Sequence, residues 1–279
     1  MSAPPPAPAS LALVPAVLVG LCVALQGAAW GGWVRVPAAG PGRTLFSLVE
    51  MALLAALLWN GWRIRSWVRA LPGVDARARV VSTLVFASLV LCVLGDAVNR
   101  NFGASHYAYD TVIEHSYLAD SVWFFLPGYA LFIVAAWRAC RDRVGSAVRW
   151  GSLGVGALAG AATFGSIVLP GTSPYVVAMT GSYSVLISLM VPVALWIVLA
   201  FGRPASAVAA GAVLATVADA LIGQFWLFGH GHHPGIAYLN FIVYFASQAL
   251  IQRFPLVVSA GDPGAGHDRD IHAGAGRRP

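Results

Sequence analysis

Four carboxyl side chains stand where an apolar chain is expected to have none. Of the eleven acidic residues, Asp75 and Asp142 sit in Arg-rich loops, Asp110 and Glu114 in a polar stretch, and Asp262, Asp268 and Asp270 near the C-terminus. Glu50, Asp96, Asp120 and Asp219 lie instead in or at the edge of long apolar runs. An acid at membrane depth costs roughly 2.5–3.5 kcal/mol even on gentle insertion scales, so its presence points to a function. Such a group can bind a cationic substrate, relay protons or, when kept neutral, hand a proton to a substrate.

The surroundings of these acids follow from composition. The chain has 279 residues, of which 58% are hydrophobic and 10% charged. A soluble domain carries roughly 25% charged residues. This chain therefore cannot coat a water-facing surface, and disorder is excluded everywhere except at the two ends. The 17 basic residues are all Arg, in short loops between apolar runs. That is the pattern of cytoplasmic loops in a membrane protein and not of a basic groove, so nucleic acid is not an expected partner. Cys22, Cys92 and Cys140 are too few and too scattered for a disulfide framework or a zinc site.

A bilayer core about 30 Å thick needs about 20 apolar residues per helix. Eight runs qualify, at residues 11–31, 44–62, 79–98, 119–138, 150–169, 175–200, 205–228 and 235–253. The expected fold is all-α, a polytopic bundle of eight transmembrane helices over residues 11–254. Disordered ends at 1–10 and 255–279 flank it. The first run lacks a basic leader and is expected to be a retained helix rather than a signal peptide. Loops on one side hold Arg63, Arg65, Arg69, Arg77, Arg79, Arg138, Arg141, Arg143, Arg149, Arg203, Arg253, Arg269, Arg277 and Arg278; the other side holds Arg35, Arg43 and Arg100. This asymmetry predicts a multi-pass cell-membrane protein with both termini cytoplasmic.

In this arrangement all four acids fall in the outer half. Asp219 lies about 14 Å from the outer end of its helix and Glu50 about 10 Å below Arg43, with no charged neighbour in sequence reach. Asp96 has Arg100 four residues on, which suits a helix-end ion pair. Asp120 begins a helix, where an acid complements the dipole. Polar companions share these depths. Asn240, Tyr244, Ser247 and Gln248 form one stripe on the last helix, and Trp226 follows Asp219 by seven residues on the same face. Trp59 and Trp196 are further candidates for a pocket lining. The outer-loop residues His106, His115, His230, His232 and His233 lack the spacing of a helical zinc pair, so no metal and no cofactor are expected. No helix is plainly broken by paired Gly and Pro as in many carriers; Pro127 and Pro192 are weak candidates.

An internal echo links two of the acids. Gly95 to Phe102 reads GDAVNRNF and Ala218 to Phe225 reads ADALIGQF, which suggests two parallel four-helix halves. Together with FLPGYALFIVAAW from Phe125 and VYFASQALI from Val243, these segments resemble the YhhN family of integral membrane proteins, which includes lysoplasmalogenases. The resemblance matches Asp96 and Asp219 to the family's two Asp positions, and Tyr244 and Gln248 to its last-helix motif. Tyr129 stands where the family shows His, and Ala218 where it shows Ser.

The resemblance implies hydrolysis of a lysoplasmalogen vinyl ether to a fatty aldehyde and a glycerophospho-alcohol. Protonation of the alkene carbon opens that reaction. Asp219 is the expected general acid and Asp96 the group that steadies the cation or activates water, with Glu50 as a substitute for either. Tyr244, Gln248, Asn240, Asp120, Tyr129 and Trp226 are the expected substrate-binding residues. A membrane terpene cyclase would begin with the same protonation on a prenyl chain, stabilised by aromatic faces. A transporter or structural bundle is the non-catalytic alternative. The expected partners are a lipid or isoprenoid substrate and the bilayer; the oligomeric state is not legible.

Overall fold

The computed structural model describes residues 7–37, 40–102, 116–227 and 234–260, and for 225–227 and 234 the backbone alone. Within them the chain is all-helical: α1 (Ser10–Trp30), α2 (Pro41–Ala70), α3 (Ala76–Asn99), α4 (Tyr117–Cys140), α5 (Ser146–Ile167), α6 (Pro174–Ser188), α7 (Met190–Phe201), α8 (Ser206–Leu227), α9 (Pro234–Ile251) and α10 (Phe254–Ala260). Local chemistry sets several starts. The side chains of Asp75, Ser116 and Ser173 cap α3, α4 and α6 by accepting backbone N–H bonds.

Among the described residues, seven stretches are long and apolar enough to cross a membrane: α1, α2, α3, α4, α6 with α7, Arg203–Gln224, and Gly235–Ala260. α5 is not among them, because Gly151, Gly154, Gly156, Gly160 and Gly165 dilute its apolar character. Large apolar side chains such as Leu21, Leu158 and Leu199 are exposed on the bundle's outside. A water-soluble protein would not present so many in one belt.

Close helix packing uses small residues, as expected where no hydrophobic force drives helices together. α3 packs most extensively on α4, and α8 on α9. A Cβ at Gly128 would lie 3.3 Å from the Ser88 carbonyl oxygen, and one at Gly211 would lie 2.7 Å from Leu250 Cβ. These two pairs are counterparts under a two-half division of the chain. Beneath them, Phe132, Trp196, Phe245 and Phe254 fill the core toward the Arg-rich end.

The structure departs from the expected elements in three places. The run 175–200 is not one helix: it turns at Leu189 between α6 and α7. Pro192 supplies no N–H to the Ser188 carbonyl, and its ring crowds that oxygen. One residue before it, the Ile187 carbonyl accepts the Thr216 hydroxyl at 2.9 Å, which ties the turn to α8. The boundary expected after residue 254 falls later, because Phe254–Ala260 form α10. Trp59 is 61% exposed and stacks on Trp62, while Trp196 is buried with its indole N–H on Ser152 Oγ, and neither lines either of the two cavities described below.

α5 rests on α6 at a point that tolerates no side chain. A Cβ at Gly160 would lie 2.7 Å from both the Ser184 carbonyl oxygen and Ser188 Oγ, whereas one at Gly154 meets nothing within 4 Å. Gly160→Ala is expected to destabilise by about 1–3 kcal/mol through overpacking. Gly154→Ala is expected to be silent. Thermal unfolding of the two variants in detergent micelles checks the difference.

Candidate active site

Two adjoining cavities occupy the half of the bundle remote from the Arg-rich loops. The smaller, about 130 Å³, is polar; Glu50 from α2, Asp96 and Arg100 from the end of α3, and Asn240 and Tyr244 from α9 line it. The larger, about 430 Å³, lies among α4, α5, α6 and α8. Asn99, Leu118, Phe125, Ile222 and Asp219 line both, so Asp219 stands in the shared wall.

Asp96 is 4% exposed, and its Oδ2 accepts the Tyr244 hydroxyl at 2.5 Å. The preceding Gly95 is required by packing. A Cβ there would lie 2.8 Å from the Phe125 ring, so the absence of a side chain seats the aromatic wall shared by both cavities. Tyr244 also meets Phe125 edge to face. One Gly-Asp step thus places a carboxyl and, beside it, the ring that bounds its chamber.

Glu50 differs from expectation. It is 2% exposed, and both of its oxygens are engaged: Oε1 accepts from Gln26 Nε2 at 2.7 Å and Oε2 from Arg100 at 2.5 Å. The Arg100 ion pair therefore runs across from α3 to α2, not along α3 to the acid four residues before it. The Arg100 guanidinium also sits 4.5 Å from the centre of the Phe241 ring, a cation–π contact that helps hold a desolvated charge.

Asp219 has the opposite character. The residue is half-buried and faces the Tyr183 hydroxyl closely enough to interact with it, but neither that hydroxyl nor Asp219 Oδ2 makes a hydrogen bond of good geometry. A buried acceptor left open costs free energy unless a ligand or water completes it. Asn240 positions the local backbone: its Nδ2 donates to the Ala218 carbonyl at 2.5 Å.

The remaining candidates are placed elsewhere. Tyr129 and Gln248 are fully buried and joined by a bond from Gln248 Nε2 to the Tyr129 hydroxyl at 3.1 Å, but they line neither cavity. Asp120 accepts the Tyr175 hydroxyl at 2.7 Å, also outside both linings. The Trp226 side chain and His106, His115, His230, His232 and His233 lie outside the described residues. Among the described residues no group of three or more His, Cys, Asp and Glu is placed to hold a metal. Sequence reasoning missed Gln26, although a lone Gln inside an apolar run was a visible signal. It also missed Tyr183 as the neighbour of Asp219, and Phe125 as the common wall.

The model of the YhhN family matches residues 42–253. The chain belongs to the YhhN family. No curated protein and no solved structure matches it. The YhhN segment contains Glu50, Asp96, Arg100, Asp219, Asn240 and Tyr244, and leaves Gln26 outside.

Breaking a buried ion pair strands the remaining charge, at a cost of roughly 3–5 kcal/mol. Glu50→Gln and Arg100→Gln are each expected to destabilise the protein strongly. The double variant is expected to lose less than the sum of the two. A double-mutant cycle on thermal unfolding checks the coupling.

Proposed function

We propose that this YhhN-family protein is a membrane enzyme that hydrolyses the vinyl ether of a single-chain lipid, in the manner of a lysoplasmalogenase. The observation that carries the reading is Asp219 in the wall between a polar and a largely apolar cavity. The vinyl ether joins a polar head to an alkyl chain, so its double bond belongs at such a wall. In this reading α5 is an eighth span, which returns both termini to the Arg-rich, cytoplasmic side.

The Asp219 carboxyl gives its proton to the vinyl carbon remote from the ether oxygen. The electron pair of the double bond forms the new C–H bond, and an oxocarbenium ion results at the carbon bonded to oxygen. Asp96, held by Tyr244, faces the same chamber and steadies that charge. Water adds to the cationic carbon and loses its proton to a carboxylate. The hemiacetal then collapses to a fatty aldehyde and the glycerophospho-alcohol, and the acid is regenerated. Glu50, with both oxygens engaged, serves as a positioning residue through Arg100 and not as a proton donor.

The polar chamber also separates this reading from cyclisation. A cyclase keeps water away from its cation, whereas Arg100, Asn240 and Asp96 beside Asp219 favour a reaction that consumes water. The turn at Leu189 does not by itself favour a carrier, because Thr216 holds it closed with a side-chain bond.

Aldehyde release from a lysoplasmalogen by the purified protein tests the proposal. Asp219→Asn is expected to lower turnover by about 10²–10⁴-fold, the usual contribution of general acid catalysis, while unfolding temperature changes little. Asp96→Asn is expected to act in the same direction. If Arg100→Gln reproduces the Asp96→Asn defect in full, Asp96 acts through the ion pair and not on the substrate. Conversion of a linear prenyl substrate to a ring, without aldehyde release, overturns the hydrolase reading.

A further inference from the structure

We infer that the 430 Å³ cavity is a slot for one alkyl chain and that lipid enters it sideways from the bilayer, through a mouth between α5 and α8. The inference rests on the hydrolase reading for the identity of the lipid, but its geometry stands apart from it.

The lining is effectively apolar although it contains several hydroxyls. Five of these are turned into backbone. Ser121 donates to the Leu118 carbonyl at 2.7 Å, Thr180 to Val176 at 2.6 Å, Ser184 to Gly160 at 3.1 Å, Ser188 to Ser184 at 2.8 Å and Thr216 to Ile187 at 2.9 Å. A satisfied hydroxyl presents carbon to the space beside it, so the slot offers little to a polar ligand. Its dimensions suit a chain. The lining on α6 runs from Val176 to Ser188, about 18 Å at the helical rise. It ends where the break at Leu189 and the Thr216 bond close the floor.

The mouth is marked by residues that line the slot and are also exposed. Thr163 on α5 and Ala220 and Gln224 on α8 do both, whereas the lining from α4 and α6 is buried or half-buried. α5 is a thin wall at this height. Its buried residues are Arg149, Gly156 and Gly160, all below the mouth, and it touches α8 only sparsely. Ala220 adjoins Asp219 in sequence, so the opening lies level with the proposed acid. A chain entering there brings its polar end to the shared wall without the whole lipid leaving the membrane. The bilayer is the natural source for such a ligand, since the mouth faces lipid along two helices that this reading places across the membrane.

The test uses the full-length protein in phosphatidylcholine vesicles with a trace of lysophosphatidylcholine whose chain ends in a diazirine. After illumination, adducts are mapped by mass spectrometry. They are expected on the slot floor at Ile187, Ser188 and Thr216. Thr163→Trp, which plugs the mouth, is expected to reduce them at least tenfold, and Leu158→Trp, an exposed α5 position outside the lining, to leave them unchanged. Gln224→Trp plugs the same mouth from α8 and replaces Thr163→Trp if that variant does not fold. Floor labelling that both mouth variants leave intact, or adducts confined to the outer faces, overturns the side entrance.

An activity measurement adds a second readout. Thr163→Trp is expected to cut turnover of a long-chain vinyl ether in vesicles about tenfold and to leave a short, water-soluble vinyl ether within twofold. Equal loss on both overturns the inference. A wild type that releases no aldehyde from either, yet labels as described, sinks the hydrolase reading and leaves the side entrance standing.

Discussion

Charge at membrane depth must be neutralised inside the bundle, and the pair formed by Glu50 and Arg100 is where this constraint shapes the fold. It ties α2 to α3 at 2.5 Å and recruits Gln26 from α1 and the Phe241 ring from α9. Four helices therefore converge on one ion pair. That convergence opens the small polar chamber beside it, because side chains that satisfy two charges cannot also fill the space with hydrocarbon. Asp96 and Tyr244 line the same chamber as a consequence.

The apolar part of the architecture was legible from spacing alone. Runs of about 20 residues flanked by Arg map onto the observed helices, because backbone groups in lipid leave the chain no alternative. The break at Leu189 was not legible as a break. Pro192 signals a lost hydrogen bond, but Pro127 and Pro15 lie inside α4 and α1 without ending them. What differs is the surrounding support: Thr216 reaches the Ile187 carbonyl, at the turn, from another helix. A residue 29 positions away along the chain cannot be weighed from a local pattern.

The site divides in the same way. Acids in apolar runs identify themselves by their cost, so Glu50, Asp96 and Asp219 stand out in the sequence. Their partners do not. Arg100 lies one helical turn from Asp96, and local spacing favours that pair, yet its ion pair reaches 50 positions back along the chain to Glu50. The stripe on the last helix points to Gln248 as a contact for a substrate, and the family resemblance to both Gln248 and Tyr129. They bond to each other in the core instead, which fits the general use of polar side chains to join helices in membranes.

The three acids thus carry different debts to their surroundings, and the difference separates their roles. Glu50 has its oxygens filled by Gln26 and Arg100, and Asp96 has one filled by Tyr244. Asp219 Oδ2 has only the Tyr183 hydroxyl beside it and makes no hydrogen bond of good geometry. Folding alone would favour closing such a gap, since each unmet buried group costs roughly 1–3 kcal/mol. A gap of this kind in the wall between two cavities is accounted for when a ligand closes it. The same wall is lined by Phe125, which Gly95 admits, so the motif that supplies one carboxyl also shapes the space faced by the other. On the proposed function, chemistry at Asp219 and the geometry of the chain slot are for that reason one construction: a carboxyl weakly supported by the protein, set where a head group and an alkyl chain would part.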